Sequence, residues 1–140
     1  MSTKVMLSIT GTQRYADQDP EVIELVTEGT MCMRDGGWEI TYQESALTGR
    51  DGVQTTFRVE PQKVTLTRTG KLQSEMVFQQ GVAHDSLYQM EFGTLMLRVC
   101  ANQVFFDIAP DGGVIDLIYA INIENTQAGT VDYHLDIRAK

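Results

Sequence analysis

The run Val53-Gln54-Thr55-Thr56-Phe57-Arg58-Val59-Glu60-Pro61-Gln62-Lys63-Val64-Thr65-Leu66-Thr67-Arg68-Thr69-Gly70 decides the architecture. Val53, Thr55, Phe57 and Val59 alternate with Gln54, Thr56, Arg58 and Glu60, and Val64 and Leu66 alternate with Thr65 and Thr67. A period of two sends successive side chains to opposite faces, so each half reads as a strand with one face toward a core. Pro61 falls between the halves, where its missing N–H does least harm. Thr69-Gly70 supplies turn chemistry at the far end.

The same period extends outward in both directions. Upstream, Val5, Leu7 and Ile9 form one row and Trp38, Ile40 and Tyr42 another. Downstream, Leu95, Leu97 and Val99 form a row, then Ile115, Leu117, Tyr119, Ile121 and Ile123, and finally Val131, Tyr133, Leu135 and Ile137. Residues 21–28 tempt a helix reading, but Val22, Ile23, Val26 and Thr27 are β-branched. Ile23 and Leu25 run in phase through Thr27 and Gly29 to Met31 and Met33, which predicts one long strand with a bulge or sharp coil at Gly29. The phase also breaks between Phe92 and Leu95, making Gly93 a second bulge candidate.

Turn signals punctuate the rows at Asp35-Gly36-Gly37, Arg50-Asp51-Gly52 and Pro110-Asp111-Gly112-Gly113. Short connections make sequential strands antiparallel neighbours. Long sequential strands leave an exposed edge unless the sheet closes, and glycines inside strands suit a sheet that must coil. The expectation is an all-β, antiparallel up-and-down barrel of roughly eight to ten strands. No repeat, linker or low-complexity stretch divides it, so residues 1–140 are read as one barrel domain.

Leu66-Thr67-Arg68-Thr69-Gly70, then Phe78 and Gly81, then Tyr88-Gln89-Met90-Glu91-Phe92-Gly93-Thr94-Leu95-Met96-Leu97, and the closing Ile115-Asp116-Leu117-Ile118-Tyr119 form a recognisable series. The pattern, which includes the early Glu21-Val22-Ile23-Glu24, resembles the YwiB-like family of small bacterial proteins, a domain of unknown function. That resemblance implies a calycin-like, lipocalin-like barrel and favours it over a two-sheet sandwich. It implies no activity and no site residues.

Composition narrows the function classes. Eleven Lys and Arg against nineteen Asp and Glu give a net charge of −8 over 140 residues. An acidic surface repels phosphate backbones and anionic bilayers, so neither nucleic acid nor membrane is expected as a partner. No apolar run is long enough for a membrane helix, and the N-terminus lacks the apolar block of a signal peptide. A cytoplasmic setting follows as the expectation, with Cys32 and Cys100 as free thiols.

Catalytic signals are absent. His134 falls in outward phase, and His84-Asp85 reads as part of a segment between strands. Neither belongs to a set of three or four metal ligands. No nucleophile elbow, phosphate loop or dinucleotide fingerprint occurs, and residues 107–113 lack calcium-loop spacing. No catalytic residue, metal or cofactor is assigned.

The informative feature is a set of polar side chains at inward phase. Glu44 follows Trp38, Ile40 and Tyr42, and Arg68 follows Val64 and Leu66. Both fall near strand ends, hence near a barrel mouth. Tyr42, Tyr88, Tyr119 and Tyr133 share the inward phase. A barrel filled by apolar side chains needs none of these groups, whereas an open one can use them to orient a ligand, with Arg suited to a carboxylate or phosphate. The competing reading pairs Arg68 with Glu44 at the rim and turns the tyrosine hydroxyls to water. On the outer face Val26, Cys32, Met96, Cys100, Ile118 and Ala120 are apolar, which suits either an ordinary surface or a homodimer contact.

Three classes remain. The first is a binding protein for a small apolar or amphipathic ligand, with Arg68, Glu44, Tyr42, Tyr88 and Tyr119 at the site. The second is a non-enzymatic interaction or structural module with a filled core. The third, an enzyme, ranks last.

Overall fold

The computed structural model describes residues 2–15, 18–44, 52–90, 93–124 and 126–140. The expected turn residues Arg50 and Asp51, and Glu91 and Phe92 of the Met-x-Phe-Gly stretch, lie outside the described residues. The described chain forms ten strands and no helix. They are β1 (Thr3–Arg14), β2 (Glu21–Arg34), β3 (Gly37–Gln43), β4 (Val53–Glu60) and β5 (Lys63–Gly70), followed by β6 (Gln73–Phe78), β7 (Ala83–Met90), β8 (Gly93–Ala109), β9 (Gly112–Ile123) and β10 (Thr126–Ala139). Each pairs antiparallel with its sequence neighbours, and β1 pairs with β10, so the sheet closes into a barrel.

Local chemistry explains the turns. Asp35 and Gly36 take φ of 51° and 79° between Arg34 and its register partner Gly37. Two successive positive φ values make a two-residue turn whose twist matches the flanking strands, and Asp-Gly tolerates them. Pro61 and Gln62 join Glu60 to its partner Lys63. Residues 21–28 belong to a single strand, as their β-branched content requires.

The bulges fall elsewhere than the glycine pattern predicts. Register runs unbroken through Gly29 on both sides, to Val5 and to Tyr42. Gly29 is instead a point of close approach: a Cβ there would lie 2.6 Å from the Thr41 carbonyl oxygen and 2.9 Å from Leu7 Cδ1. Gly93 opens β8 opposite Met90, at a strand end and not inside a strand. Register shifts occur between Ala101 and Gln103 in β8 and between Gln127 and Gly129 in β10, where no phase break marks them strongly. His84 is also corrected: it sits within β7 opposite Val99, with Nε2 3.2 Å from Gln79 Oε1.

One seam is thin. β6 and β7 pair only through Gln73–Gln89 and Ser74–Tyr88, with a separate bridge from Gln79 to Val82. Between these points the Ser86 hydroxyl donates to the Glu75 carbonyl in place of a backbone rung.

Inward rows pack one end of the barrel solid. Val5, Leu7, Ile40, Phe57, Val64, Phe78, Ile115 and Leu135 have no measurable exposure there. Toward the other end the inward positions include Gly11, Thr55 and Ser74, which are too small to meet across the lumen. Gly29→Ala is expected to force Leu7 or the β3 backbone aside and to destabilise the fold by roughly 1–3 kcal/mol. A lowered urea midpoint at unchanged slope checks this.

Candidate functional site

The small inward residues leave a cavity of about 280 Å³ at the end where the odd-numbered strands finish. All five residues expected at the site from the sequence line it: Tyr42, Glu44, Arg68, Tyr88 and Tyr119. Tyr133 joins them.

Strand register arranges the polar groups. Tyr42 is opposite Thr55, Thr55 opposite Arg68, Arg68 opposite Ser74, and Ser74 opposite Tyr88. These five form one continuous cross-strand row over β3 to β7, all on the inner face. The row ends at Leu95, the partner of Tyr88. From there the cavity wall is mainly apolar, with Leu97, Ile121, Ile123, Val131, Ile9 and Ile23 on β8, β9, β10, β1 and β2. The lumen therefore has a polar arc facing an apolar one.

Glu44 stands at the centre of the polar arc. Its Oε2 accepts a hydrogen bond from the Thr55 hydroxyl at 2.7 Å and one from Tyr42 at 3.3 Å. Tyr42 has a single proton, and Glu44 takes it, so in the 3.3 Å contact between the two phenols Tyr133 donates to Tyr42. Arg68 Nε lies 3.8 Å from the same Glu44 oxygen, an ion pair and not a hydrogen bond. The two side chains are 7% and 1% exposed, so the pair is inside the barrel and not at its rim. The Tyr42 hydroxyl likewise turns to protein, not to water.

Two buried atoms in this arc have no hydrogen-bond partner: Arg68 Nε and Ser74 Oγ. They belong to cross-strand neighbours. A buried polar atom left unpaired costs roughly 1–3 kcal/mol, more for a charged group. Arg68 lines the cavity, whereas Ser74 does not, so the two atoms sit within the wall beside it.

Thr55 and Ser74 were not singled out from the sequence. Thr55 was legible as the one hydroxyl in the Val53-to-Val59 inward row. Ser74 shares inward phase with Met76 and Phe78, a row too short to draw attention. Tyr119 packs its ring on Phe78 at 4.6 Å and Tyr133 on Phe57 at 5.7 Å, so the two rings seat the cavity floor on the packed end.

Gln13 and Tyr15, not singled out from the sequence, also line the cavity, the Tyr15 hydroxyl donating to Gln13 Oε1 at 2.8 Å, whereas the two histidines stay apart from it. His134 faces outward beside Asp116, its register partner, with Nδ1 at 2.5 Å from Oδ1. Among the described residues no cluster of His, Cys, Asp and Glu could hold a metal ion. Cys32 and Cys100 are free and half-buried. The outward apolar residues divide into two groups. Cys100 and Ala120 are paired, with Ile118 and Met96 on the same two strands. Val26 and Cys32 lie on β2, across β10 and β1.

Burial in the low-dielectric lumen raises the Tyr42 pKa to about 12, assisted by the negative charge of Glu44 and opposed by Tyr133 and Arg68. Burial, with Tyr42 beside it, holds Tyr133 well above the ordinary phenol value. Both phenols thus bind their protons more tightly folded than unfolded. Their contribution to stability is whole below the unfolded value of 10.0 and is lost as pH rises through about 12 for Tyr42. The urea midpoint is expected to fall with pH above roughly 10, and Tyr42→Phe to flatten that fall, as read from denaturation curves across the alkaline range.

The family model for a domain of unknown function, DUF1934, matches residues 7–137. A crystal structure of the ywiB protein from Bacillus subtilis superposes with a TM-score of 0.86 at 21% identity, over 99% of this chain and 93% of that one. At that identity the likeness establishes the barrel fold alone. A search of curated proteins finds no match.

Proposed function

The chain belongs to the DUF1934 family of domains of unknown function, and we propose that its barrel is a receptacle for a small amphipathic molecule. The polar end of that molecule meets the arc of Tyr42, Glu44, Arg68 and Tyr88, and its tail lies against Leu97, Ile121 and Ile123. The observation that carries the reading is a buried Arg68 lining a cavity whose opposite wall is mainly apolar. Binding sites of this kind combine apolar lining with a few converging polar groups. The volume of about 280 Å³ is just below the usual span of roughly 300–1,000 Å³, which suits a short tail. A receptacle needs no nucleophile or metal, and none is assigned here.

Calorimetric titration with octanamide tests the reading. Arg68→Met, which keeps the side-chain length and removes the donors, is expected to weaken binding by about tenfold or more. Ile121→Trp, which fills the apolar arc, is expected to abolish it while circular dichroism stays that of a β-barrel. Unchanged affinity in Arg68→Met removes Arg68 from the site, and unchanged affinity in both variants removes the cavity.

A second reading, an interaction module, is favoured by one edge. Among the described residues, 103–109 of β8 pair with β9 alone, and Phe105 on this stretch is 49% exposed. Apart from the Val104 N–H, which donates to Gln80 Oε1, no hydrogen bond ties the other side of this stretch among the described residues, and such an edge accepts another strand. The partner proposed is a second copy, because antiparallel self-pairing centred on Phe105 sets Asp107 opposite Gln103 and opposes no like charges. Sedimentation at tens of micromolar is expected to show a dimer that Phe105→Lys dissociates; monomer throughout rejects this reading.

A further inference from the structure

Among the described residues lining the cavity, Glu44 and Arg68 are the only two that carry formal charge. One is negative and one positive, so the described lining has no net charge. A third charge entering this space would leave water for a low-dielectric lumen in which the described lining offers it no spare counter-charge.

Each charged head group meets a specific obstacle. A carboxylate brought to Arg68 Nε would sit beside Glu44 Oε2, which is only 3.8 Å from that nitrogen. Like-charge repulsion then opposes the attraction of the guanidinium at nearly the same range. The net charge of −8 on the chain adds to the opposition. An ammonium would be repelled by Arg68. Its natural partner, Glu44 Oε2, is buried behind the Thr55 and Tyr42 hydroxyls that already donate to it.

Arg68 has a definite chemistry: a guanidinium carries five N–H donors and no acceptor. A carbonyl oxygen has two lone pairs and no charge, so it can accept from the guanidinium where Arg68 lines the cavity.

We infer that the cavity takes an uncharged head group with a carbonyl oxygen (an amide, ester or ketone) that accepts from Arg68, and that Glu44 excludes carboxylates by cancelling the charge of Arg68. This inference rests on the receptacle reading and specifies the chemistry of its polar end. Glu44 is a specificity-determining residue here: its negative charge, more than any direct contact, sorts the ligands.

The test is calorimetric titration at neutral pH with octanamide, octanoate and octylammonium, which share a tail and differ in the head. The wild-type chain is expected to bind octanamide at least about tenfold more tightly than either charged analogue. Glu44→Gln keeps an oxygen to accept from Thr55 and Tyr42 and removes the negative charge. It is expected to shift the octanoate-to-octanamide affinity ratio by about tenfold or more in favour of octanoate. Wild-type preference for octanoate or octylammonium overturns the inference while leaving the receptacle standing, and so does an unchanged ratio in a folded Glu44→Gln. Failure of all three probes to bind the wild-type chain overturns the receptacle and the inference together. The wild-type comparison requires no variant to fold.

Discussion

Pairing of the first strand with the last is the constraint on which the molecule depends. Ten residues of β1, from Val5 to Arg14, are in register with β10, from Ala139 to Thr130. This seam closes the sheet and joins the two ends of the chain. Closure also fixes which side chains share an interior, because every inward row then faces the others across a lumen of set width. About eight strands give an interior that side chains can just fill, and the diameter grows with strand number. Ten strands therefore need large residues throughout to pack solid. Phe57, Phe78 and the leucines supply them at one end, while Gly11, Thr55 and Ser74 fall short at the other. The cavity is a consequence of residue size at particular registers.

Polarity inside the barrel has an energetic consequence. A buried ion pair seldom repays the desolvation of its members, and an apolar replacement of similar volume is often as stable or more so. Here Glu44 accepts from two hydroxyls, with Arg68 at ion-pair distance and its Nε without a hydrogen-bond partner. An arrangement selected for stability alone would bring the guanidinium into direct hydrogen-bond contact or dispense with both charges. The pair lies in the hollow half of the barrel, where both side chains line the cavity.

The alternation of side chains made the fold and most of the cavity lining legible in the sequence. Phe57, Leu66, Leu97 and Leu135 point inward as a period of two requires, and the inward polar residues Glu44 and Arg68 meet in the lumen. What escaped was register. A single strand does not reveal which residue faces which on the next, so the row from Tyr42 through Thr55, Arg68 and Ser74 to Tyr88 could not be assembled from phase alone. Glycine was misleading for the same reason. Gly29 reads as a bulge along its own strand, but its lack of a side chain answers to Leu7 and Thr41 on the strands beside it. Of the two register shifts, the one at Ala101–Gln103 contains no glycine, and it lies near where β7 begins, at Ala83 opposite Cys100, beyond which β8 continues with β9 alone.

The thin seam between β6 and β7 lies within the polar arc. Of its two register pairs, Ser74–Tyr88 is itself part of the polar row. Ladder hydrogen bonds are what resist local opening, and this stretch of wall has the fewest of any neighbouring pair of strands. Ser86 restores one link through its side chain, to the carbonyl of Glu75, the residue after Ser74. A ligand lying against Arg68 and Tyr88 would touch β5 and β7 on either side of β6, beside this seam. Binding to the folded chain alone stabilises it by mass action, and the gain would fall first on the part of the wall with the lowest cost of opening. The polar site and the weakest part of the barrel are therefore one region, in which occupancy and local rigidity are physically linked.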